Sequence, residues 1–374
     1  MLLKFQTLGP VVPIIRTALM TNPHDPLSDH NLSILDEGNP PHRDAGLFGS
    51  TISAQNAALV MIPVPWEATT SYGRGTARGP QAVLRASHQL DLSDPLLGEP
   101  YRAGICLLPP EPTIVELNDE ASQAALRVIE AFESAQQPSS RDLEHVNLAS
   151  KTVNSTVRRV ADQWLSQNKI CAVLGGDHSA PFGLMESLAA HGGPYDILHI
   201  DAHHDLRKAY EGFEDSHASI MYNVLERIPE VSRLVQVGIR DYSKQEQTYA
   251  QQSPRVIAHY DRDLFMRKAE GAPFAAIARQ MVDPLGPRVY ISFDIDGLEP
   301  SLCPHTGTPV PGGLSFQEAI YLIELLVLQG KEVIGFDLCE VAPGTGDWDA
   351  NVGARILYKL CGASLYRRRT TGVR

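Results

Sequence analysis

From residue 57 onward the chain alternates short apolar runs with amphipathic segments. The apolar runs begin at residues 57, 170, 195, 233, 288 and 332 and read AALVMIPV, ICAVLGG, YDILHIDAH, RLVQVGI, RVYISFDID and EVIGFDLCEV. Such runs are typical of strands that are buried on both faces of a parallel sheet. The amphipathic segments predict helices over PQAVLRASHQL, APFGLMESLAAH, ASIMYNVLERI, APFAAIARQMV, SFQEAIYLIELLVLQ and ANVGARILYKLC. This alternation predicts an α/β fold with three αβα layers around a central parallel sheet.

The chain before residue 57 lacks this periodicity. Residues 20–56 are rich in Pro, Asn, Asp and Gly, which predicts an irregular N-terminal arm over residues 1–56. Leu2 to Leu19 is apolar enough to consider a signal peptide, but two prolines interrupt it. We therefore interpret this stretch as disordered or pocket-covering chain, and Met1 and Met20 are both open as the native start. The main domain is predicted over residues 57–362, followed by a solvated tail over residues 363–374.

Composition narrows the class of partner. The chain has 32 Lys and Arg against 44 Asp and Glu, a formal net charge of −12, which repels phosphate backbones and anionic lipid. No apolar stretch approaches the roughly 20 residues of a membrane helix. The cysteines are widely spaced without a CxxC pair, which is typical of reduced thiols in the cytoplasm. They are Cys106, Cys171, Cys303, Cys339 and Cys361. We expect neither a nucleic acid nor a membrane as partner.

The apolar run at residue 170 ends in the sequence GGDHS, residues 175–179. Paired glycines allow a tight turn, and this turn is expected to direct His178 into the crevice at the carboxyl ends of the strands, where parallel sheets bind ligands. A plain turn, in which Asp177 or Ser179 caps the next helix, is an equally open alternative.

Two further runs end in alternating polar residues. Asp201, His203 and Asp205 follow the run at residue 195, and Asp294 and Asp296 end the run at residue 288. Residues two apart in extended chain point to one face, so each set converges at the sheet edge. Two carboxylates on one face raise each other's pKa unless a cation lies between them. A solvated acidic loop is the less favoured interpretation of the first set.

The three clusters together predict a metal centre. They offer four aspartates and two histidines without a thiolate, a donor set that suits manganese, nickel, cobalt or iron, with zinc less favoured. Six ligands are too many for one four-coordinate ion. Carboxylates that bridge two divalent ions hold them about 3.5–4 Å apart, a spacing typical of hydrolytic metal pairs.

The motifs GGDHS, DAHHD and SFDIDGLEP, in this order, resemble the three signatures of the ureohydrolase superfamily, which includes arginases and agmatinases. The resemblance covers residues 57–362 and extends to SYGRGTARGP, TGTPVPGGLS and the EVAP segment around Glu340. It implies an arginase-like fold and hydrolysis of a guanidinium C–N bond, with release of urea, by a hydroxide that bridges two divalent metal ions.

The resemblance also implies roles for single residues. His178 and Asp205 correspond to terminal ligands of one metal, His203 and Asp296 to those of the other, and Asp201 and Asp294 to bridging carboxylates. Glu340 corresponds to the residue that orients the guanidinium, and Asp205 could also accept a hydrogen bond from the hydroxide. His217 corresponds to a proton-shuttling histidine, with a non-catalytic histidine at a helix start as the alternative. His199, His204 and His305 are expected to be structural.

Departures from the family pattern concern the substrate. Leu206 and Arg207 replace residues that bind the carboxylate of arginine, which disfavours arginine. Trp66 and Tyr72 are expected near the pocket mouth, where bulky rings shrink the room for an alkyl tail, and Trp348 is a further candidate contact, with plain repacking as its alternative. The combination resembles the guanidine hydrolase branch, which implies free guanidine as substrate and nickel as the metal, with manganese as alternative.

Other functions and partners stay open at this point. Agmatine or guanidinobutyrate is the next candidate substrate, and a catalytically silent metal-binding subunit is the non-enzymatic alternative. A deacetylase-like amide hydrolase with one zinc ion is disfavoured because both paired motifs are present. The resemblance further implies a homo-oligomer, a trimer or a homohexamer, and metal-delivery accessory proteins if the metal is nickel.

Overall fold

The computed structural model describes residues 41–371, with side chains up to residue 366. The predictions on residues 1–40 and on residues 372–374 lie outside this part of the chain. Within it, the fold is the predicted three-layer αβα arrangement, with a parallel sheet between two layers of helices.

The sheet contains eight parallel strands in the order β2-β1-β3-β8-β7-β4-β5-β6. The strands are β1 Leu59–Val64, β2 Ile105–Leu107, β3 Ile170–Gly175, β4 Tyr195–Ile200, β5 Val231–Ile239, β6 Val256–Tyr260, β7 Arg288–Asp294 and β8 Glu332–Cys339. Each of the six predicted apolar runs forms one of these strands. The central four strands, β3, β8, β7 and β4, lie side by side, so their carboxyl ends meet at one edge.

Helices cover both faces of the sheet. They are α1 Gly79–Ser87, α2 Pro112–Glu133, α3 Ser140–Leu165, α4 Phe182–Gly192, α5 Ile220–Arg227, α6 Lys244–Gln252, α7 Asp261–Ala269, α8 Phe274–Val282, α9 Phe316–Leu328 and α10 Trp348–Thr371. The alternation of side chains along a strand sends Leu59 and Met61 to one apolar cluster and Val60 and Ile62 to the other. Because both faces are covered, the strands are apolar throughout, as the sequence indicated.

The apolar pattern did not reveal the strands at the two edges of the sheet. The strand β2 has three residues, and all five residues of β6 are only half-buried. An edge strand has a neighbour on one side only and meets more solvent, so its sequence lacks a continuous apolar run. The polar helix α6 was missed for a similar reason, although Ser243 and Glu246 form a capping box at its start.

Two segments outside the predicted domain, residues 57–362, have buried side chains. Leu47 and Phe48, inside the predicted arm, are buried, and the Phe48 ring packs at 4.8 Å against Tyr358 of α10. At the other end, α10 runs through the predicted start of the tail at residue 363, and Ala363 and Leu365 are buried in the core. Both segments therefore pack against the domain through apolar side chains.

Two predictions from composition can be compared with the structure. All five cysteines are free, and four of them are buried. Across residues 41–371, no helix is both long enough and apolar enough for a membrane span.

Candidate metal centre and active site

The predicted ligands converge at the carboxyl ends of three of the four central strands. His178 follows β3, Asp201, His203 and Asp205 follow β4, and Asp294 and Asp296 stand at the end of β7. The paired motifs come together because β4 and β7 are direct neighbours, with Ile200 opposite Phe293. The parallel sheet thus places residues that are distant in sequence around one point.

His178 is the centre of a first, fully buried group. Its Nδ1 lies 3.0 Å from Asp201 Oδ2, 3.2 Å from Asp205 Oδ2 and 3.3 Å from Asp294 Oδ2. The side chain of His178 is 1% exposed. Three carboxylates around one imidazole nitrogen form a donor set for a divalent cation.

His203 is the centre of a second group, closer to solvent. Its Nδ1 lies 3.1 Å from Asp296 Oδ2 and 3.4 Å from Asp201 Oδ1, and its side chain is 24% exposed. Asp201 therefore directs one oxygen to each group, which suits a bridging carboxylate. The Oδ1 of Asp294 instead accepts the backbone N–H of Asp296 at 2.8 Å, so a bridging role for Asp294 stays a proposal.

The electrostatics of the two groups point to cations. Burial, together with the charges of Asp296 and Asp201, raises the pKa of Asp294 well above its usual range. Burial and the charge of Asp201 raise the pKa of Asp205 to about 6. Burial opposes protonation of His178, yet hydrogen bonds to Asp201 and Asp205 raise its pKa well above normal. Carboxylates packed this closely need positive charge between them, and the oxygen and imidazole donors fit two divalent ions.

Buried polar side chains hold the ligands from behind. His178 Nε2 lies 2.9 Å from Ser292 Oγ, which in turn donates to Asp337 Oδ2 at 2.9 Å. His199 Nε2 lies 2.8 Å from Asp201 Oδ2, and the Gln236 amide lies 2.9 Å from His199 Nδ1. Ser292, Asp337 and Gln236 were missed from the sequence. Their signal is a polar residue inside an otherwise apolar strand.

Glu340 directly follows β8 and lies beside the first group. Its φ of 62° is in the left-handed region, which turns the side chain back over the sheet edge. The Oε1 accepts the backbone N–H of His178 at 3.0 Å, whereas the buried Oε2 has no hydrogen-bond partner among the described residues. Burial, followed by the charges of Asp177 and Asp296, raises the pKa of Glu340 well above normal.

His217 begins the short 3-10 turn His217–Ser219, is half-buried and lines the same cavity. Its Nδ1 lies 3.3 Å from Thr69 Oγ1. Burial, followed by the charges of His203 and His178, lowers its pKa to about 4. The imidazole is therefore neutral at pH 7 and able to accept a proton.

A cavity of about 150 Å³ connects these side chains. It is lined by Ser71, His178, His203, Asp205, Arg207, Tyr210, His217, Ala218, Asp241, Tyr242, Glu246, Asp294, Thr308 and Glu340. Asp241, Tyr242 and Glu246 were missed because they lie in the loop after β5 and at the start of α6, whose sequence carries no family motif.

The aromatic residues predicted at the pocket mouth are only partly there. Tyr72 is 84% exposed and lines a small recess next to His217 and Glu340. Trp66 is fully buried in the apolar cluster between β1 and the helices, and this corrects its predicted position at the mouth. Trp348 is also corrected: it does not line the cavity, and its indole N–H donates to the Ser301 carbonyl at 2.9 Å. An indole at a strand end can turn inward, and spacing alone does not decide the direction.

His199, His204 and His305 were expected to be structural. His199 and His204 are fully buried, and each hydrogen-bonds the Gln236 side chain. His305 Nδ1 lies 2.9 Å from Asp349 Oδ2, away from the two ligand groups. None of the three lines the cavity.

The three-layer αβα fold and the two candidate ligand groups at the sheet edge are the features expected of metal-dependent hydrolases. The profile of the arginase family matches residues 57–362. The chain is 35% identical over 314 residues to the N(1)-aminopropylagmatine ureohydrolase of Thermus thermophilus, with 82% of this chain and 90% of that protein covered. It is 28% identical to the agmatinase of Pyrococcus horikoshii, with 84% and 94% covered.

A solved structure shows the same fold. The proclavaminate amidino hydrolase from Streptomyces clavuligerus aligns with a TM-score of 0.66 at 21% identity, covering 87% of this chain and 98% of that one. The sequence matches and the shared fold agree on the family. The chain belongs to the arginase family of ureohydrolases, and the resemblance seen in its motifs is confirmed.

Proposed function

We propose that this protein hydrolyses the guanidinium C–N bond of a small guanidino compound without a carboxylate, with release of urea. The observation that carries the proposal is Oε2 of Glu340, a buried carboxylate oxygen that has no hydrogen-bond partner within residues 41–366, in a residue that lines the same cavity as members of both ligand groups. A buried carboxylate without a partner is costly, and a guanidinium offers it charge-assisted N–H donors.

The chain's own residues suit the steps of this reaction. His178, Asp201, His203, Asp205, Asp294 and Asp296 would hold two divalent cations, which lower the pKa of water and so supply hydroxide near neutral pH. Glu340 would bind the guanidinium and turn its central carbon toward the two ligand groups. His217 would carry a proton to the departing nitrogen, because its neutral imidazole faces the cavity. Asp205 is buried, and its Oδ2 lies 3.2 Å from His178 Nδ1. It would therefore serve as a ligand of the same metal as His178 and would also be placed to accept a proton.

The relatives favour a guanidino amine of the agmatine type as substrate. Those named above act, by their names, on aminopropylagmatine or agmatine. Asp241 supports a substrate of this type, because it is an exposed carboxylate in the cavity lining that could attract the terminal amine of agmatine. The positions of Trp66 and Trp348 remove two of the three aromatic residues on which the preference for free guanidine was based.

Free guanidine is the second candidate. The cavity of about 150 Å³ is smaller than the roughly 300–1,000 Å³ of common ligand sites, and Tyr72 stands next to Glu340 in the adjoining recess. Both features favour a compact substrate. The finer expectations stay predictions. They are the identity of the metal, nickel or manganese, the trimer or hexamer, the cytoplasmic location and the metal-delivery proteins.

A substrate panel tests the proposal. The purified protein is stripped of metal, reloaded with nickel or manganese, and assayed for urea from guanidine, agmatine, aminopropylagmatine, guanidinobutyrate and arginine. We expect urea from one of the first three and none from arginine. Glu340→Gln should abolish turnover, while the exposed control Glu144→Gln should not change it. Absence of urea from every substrate with either metal would overturn the proposal.

A further inference from the structure

Thr69 lies in the loop between β1 and α1 and belongs to none of the family motifs discussed above. Its side chain is fully buried. The loop is held closed by Glu67, whose Oε2 accepts the backbone N–H of Gly75 at 2.6 Å and of Ala77 at 3.1 Å. Thr69 is therefore fixed in position by its own loop, independently of the metal ligands.

The hydroxyl of Thr69 makes three polar contacts. Its Oγ1 lies 3.0 Å from Asp177 Oδ2, 3.2 Å from the backbone nitrogen of His217 and 3.3 Å from His217 Nδ1. A hydroxyl has one hydrogen to donate and two lone pairs to accept with. These three contacts use all of that capacity.

The direction of each hydrogen bond follows from its partner. The backbone N–H of His217 can only donate, and an ionised Asp177 carboxylate can only accept. The single hydrogen of Thr69 thus goes to Asp177, and one lone pair takes the backbone N–H. The second lone pair remains for His217 Nδ1, which must therefore carry the hydrogen.

Asp177 is itself fixed as an acceptor. Its Oδ1 accepts the backbone N–H of Ser179 at 3.0 Å and the Ser179 hydroxyl at 2.5 Å, and its own backbone N–H donates to the Trp66 carbonyl at 2.7 Å. Burial raises the pKa of Asp177 to about 6, and these donors, together with the Thr69 hydroxyl, act in the opposite direction. Donors reach both carboxyl oxygens, Oδ1 from Ser179 and Oδ2 from Thr69, so neither oxygen is placed to carry a hydrogen of its own. The chain of contacts thus runs from a fixed charge through Thr69 to His217.

We infer that Thr69 and Asp177 are positioning residues that hold His217 in its Nδ1–H tautomer, with the Nε2 lone pair directed to the cavity. No partner for Nε2 is found within residues 41–366, and His217 lines the cavity beside Glu340. Two contacts from one residue to the same hydroxyl also restrict rotation of the ring. The locked ring presents one defined proton acceptor to the substrate.

The consequence for catalysis rests on the proposed function. A water molecule gives its oxygen to the guanidinium carbon and one proton to Nε2. The C–N bond then breaks, its electron pair stays on the departing nitrogen, and Nε2 passes the first proton to that nitrogen. The second proton of the water leaves the oxygen as the C=O bond of urea forms and goes to the released amine, which departs as its ammonium form. The Nδ1 hydrogen remains bonded to Thr69 throughout, so the imidazolium formed in between is stabilised by Asp177 through the hydroxyl.

Kinetics of Thr69 variants form the first test. Thr69→Val keeps the shape but removes the hydroxyl, and we expect kcat to fall about 10- to 100-fold, part of the roughly 10²–10⁴-fold that acid–base catalysis contributes. KM should be unchanged, because Thr69 does not line the cavity. Thr69→Ser should restore most of kcat. Ser187→Ala removes a fully buried hydroxyl of α4, which donates to the Arg158 carbonyl, and should leave kcat and KM as they are.

A double-mutant cycle distinguishes a positioning role of Thr69 on His217 from a general loss of structure. If Thr69 acts through His217, then adding Thr69→Val to His217→Asn should not lower kcat further. A second loss of the same size in that background would overturn the inference. So would a Thr69→Ser variant that is as slow as Thr69→Val.

Neutron diffraction tests the tautomer without any assay and without a variant. In deuterated crystals of the metal-loaded protein at pH 8, we expect deuterium on Nδ1 of His217 and none on Nε2. Deuterium on Nε2, with or without deuterium on Nδ1, would overturn the inference. If the substrate panel failed while deuterium was found on Nδ1 alone, the proposed function would be wrong and the positioning of His217 would stand.

Discussion

The two ligand groups differ in their contact with solvent, although they share Asp201. In the inner group the His178 side chain is 1% exposed, and Ser292 and Asp337 support it through hydrogen bonds. In the outer group the His203 side chain is 24% exposed. Residues of both groups line the cavity. A buried, fully supported site binds its ion more tightly and exchanges it more slowly. We therefore expect the inner ion to be structural as well as catalytic, and the outer ion to exchange first.

The largest effect is expected from Asp201, the one side chain that reaches both groups. Asp201→Asn removes the charge that one oxygen directs to His178 and the other to His203. We expect loss of both metals by elemental analysis and turnover below detection. A variant that keeps two metals per chain and measurable urea release would remove the basis for treating Asp201 as a bridge.

The next test separates the inner group from the outer one. His178→Asn should lower the metal content of both groups, because it also withdraws the nitrogen that pairs with Asp201, Asp205 and Asp294. His203→Asn should leave close to one metal per chain. Equal losses in the two variants, measured after dialysis against the same chelator, would contradict the proposed difference between the groups.

Support of the inner group from behind can be weakened without touching a ligand. Ser292→Ala removes the hydroxyl that links His178 Nε2 to Asp337, and loss of such outer contacts typically lowers metal affinity about 10- to 100-fold. Competition with a chelator measures this affinity. Ser155→Ala, at an exposed serine of α3, is the matched control and should leave the affinity unchanged.

The dependence of stability on pH tests the lowered pKa of His217 in the cavity lining. Burial lowers the pKa of His217 to about 4, while in the unfolded chain it is about 6.5. Between these values the unfolded state binds the extra proton, so the metal-free protein should lose stability as the pH falls from 6.5 to 4. In His217→Asn the thermal midpoint should fall less over this window. His259, whose pKa is also lowered to about 4 by burial, is present in both proteins and cancels in the comparison.

The smallest effect is expected at the outer rim. Asp241→Asn removes an exposed carboxylate from the cavity lining, and exposed ion pairs contribute about 0.2–1 kcal/mol, so KM for agmatine should rise by at most about fivefold. KM for free guanidine should not change, because guanidine has no tail to reach Asp241. An equal rise of KM for both substrates would show that Asp241 does not interact with the amine tail of agmatine.

Some features of the fold and of the site are encoded in short stretches of the sequence. The alternation in DAHHD and DID predicted ligands on one face of the chain, because the period of two in extended backbone is a local property. The buried runs predicted six of the eight strands for the same reason. The paired motifs even indicated a cation, since two carboxylates on one face need opposite charge between them.

Other features depended on distant packing. The chain alone did not show that Trp66, after the end of β1, turns into the core or that Trp348, at the start of α10, lies outside the cavity lining. The direction of each side chain depends on what packs around it. It also did not show the unpartnered Oε2 of Glu340. Burial of a single atom is decided by all elements around it.

The sequence by itself determined the layered α/β fold, the family and the six candidate metal ligands, because strand period and motif spacing are properties of short stretches of chain. Only the tertiary structure decided that His178 is buried while His203 is partly exposed, and that Thr69 meets His217. Those two residues are 148 positions apart, and no local pattern carries a contact over that distance. The sheet makes the contact by bringing the ends of β1, β3 and β4 to one edge.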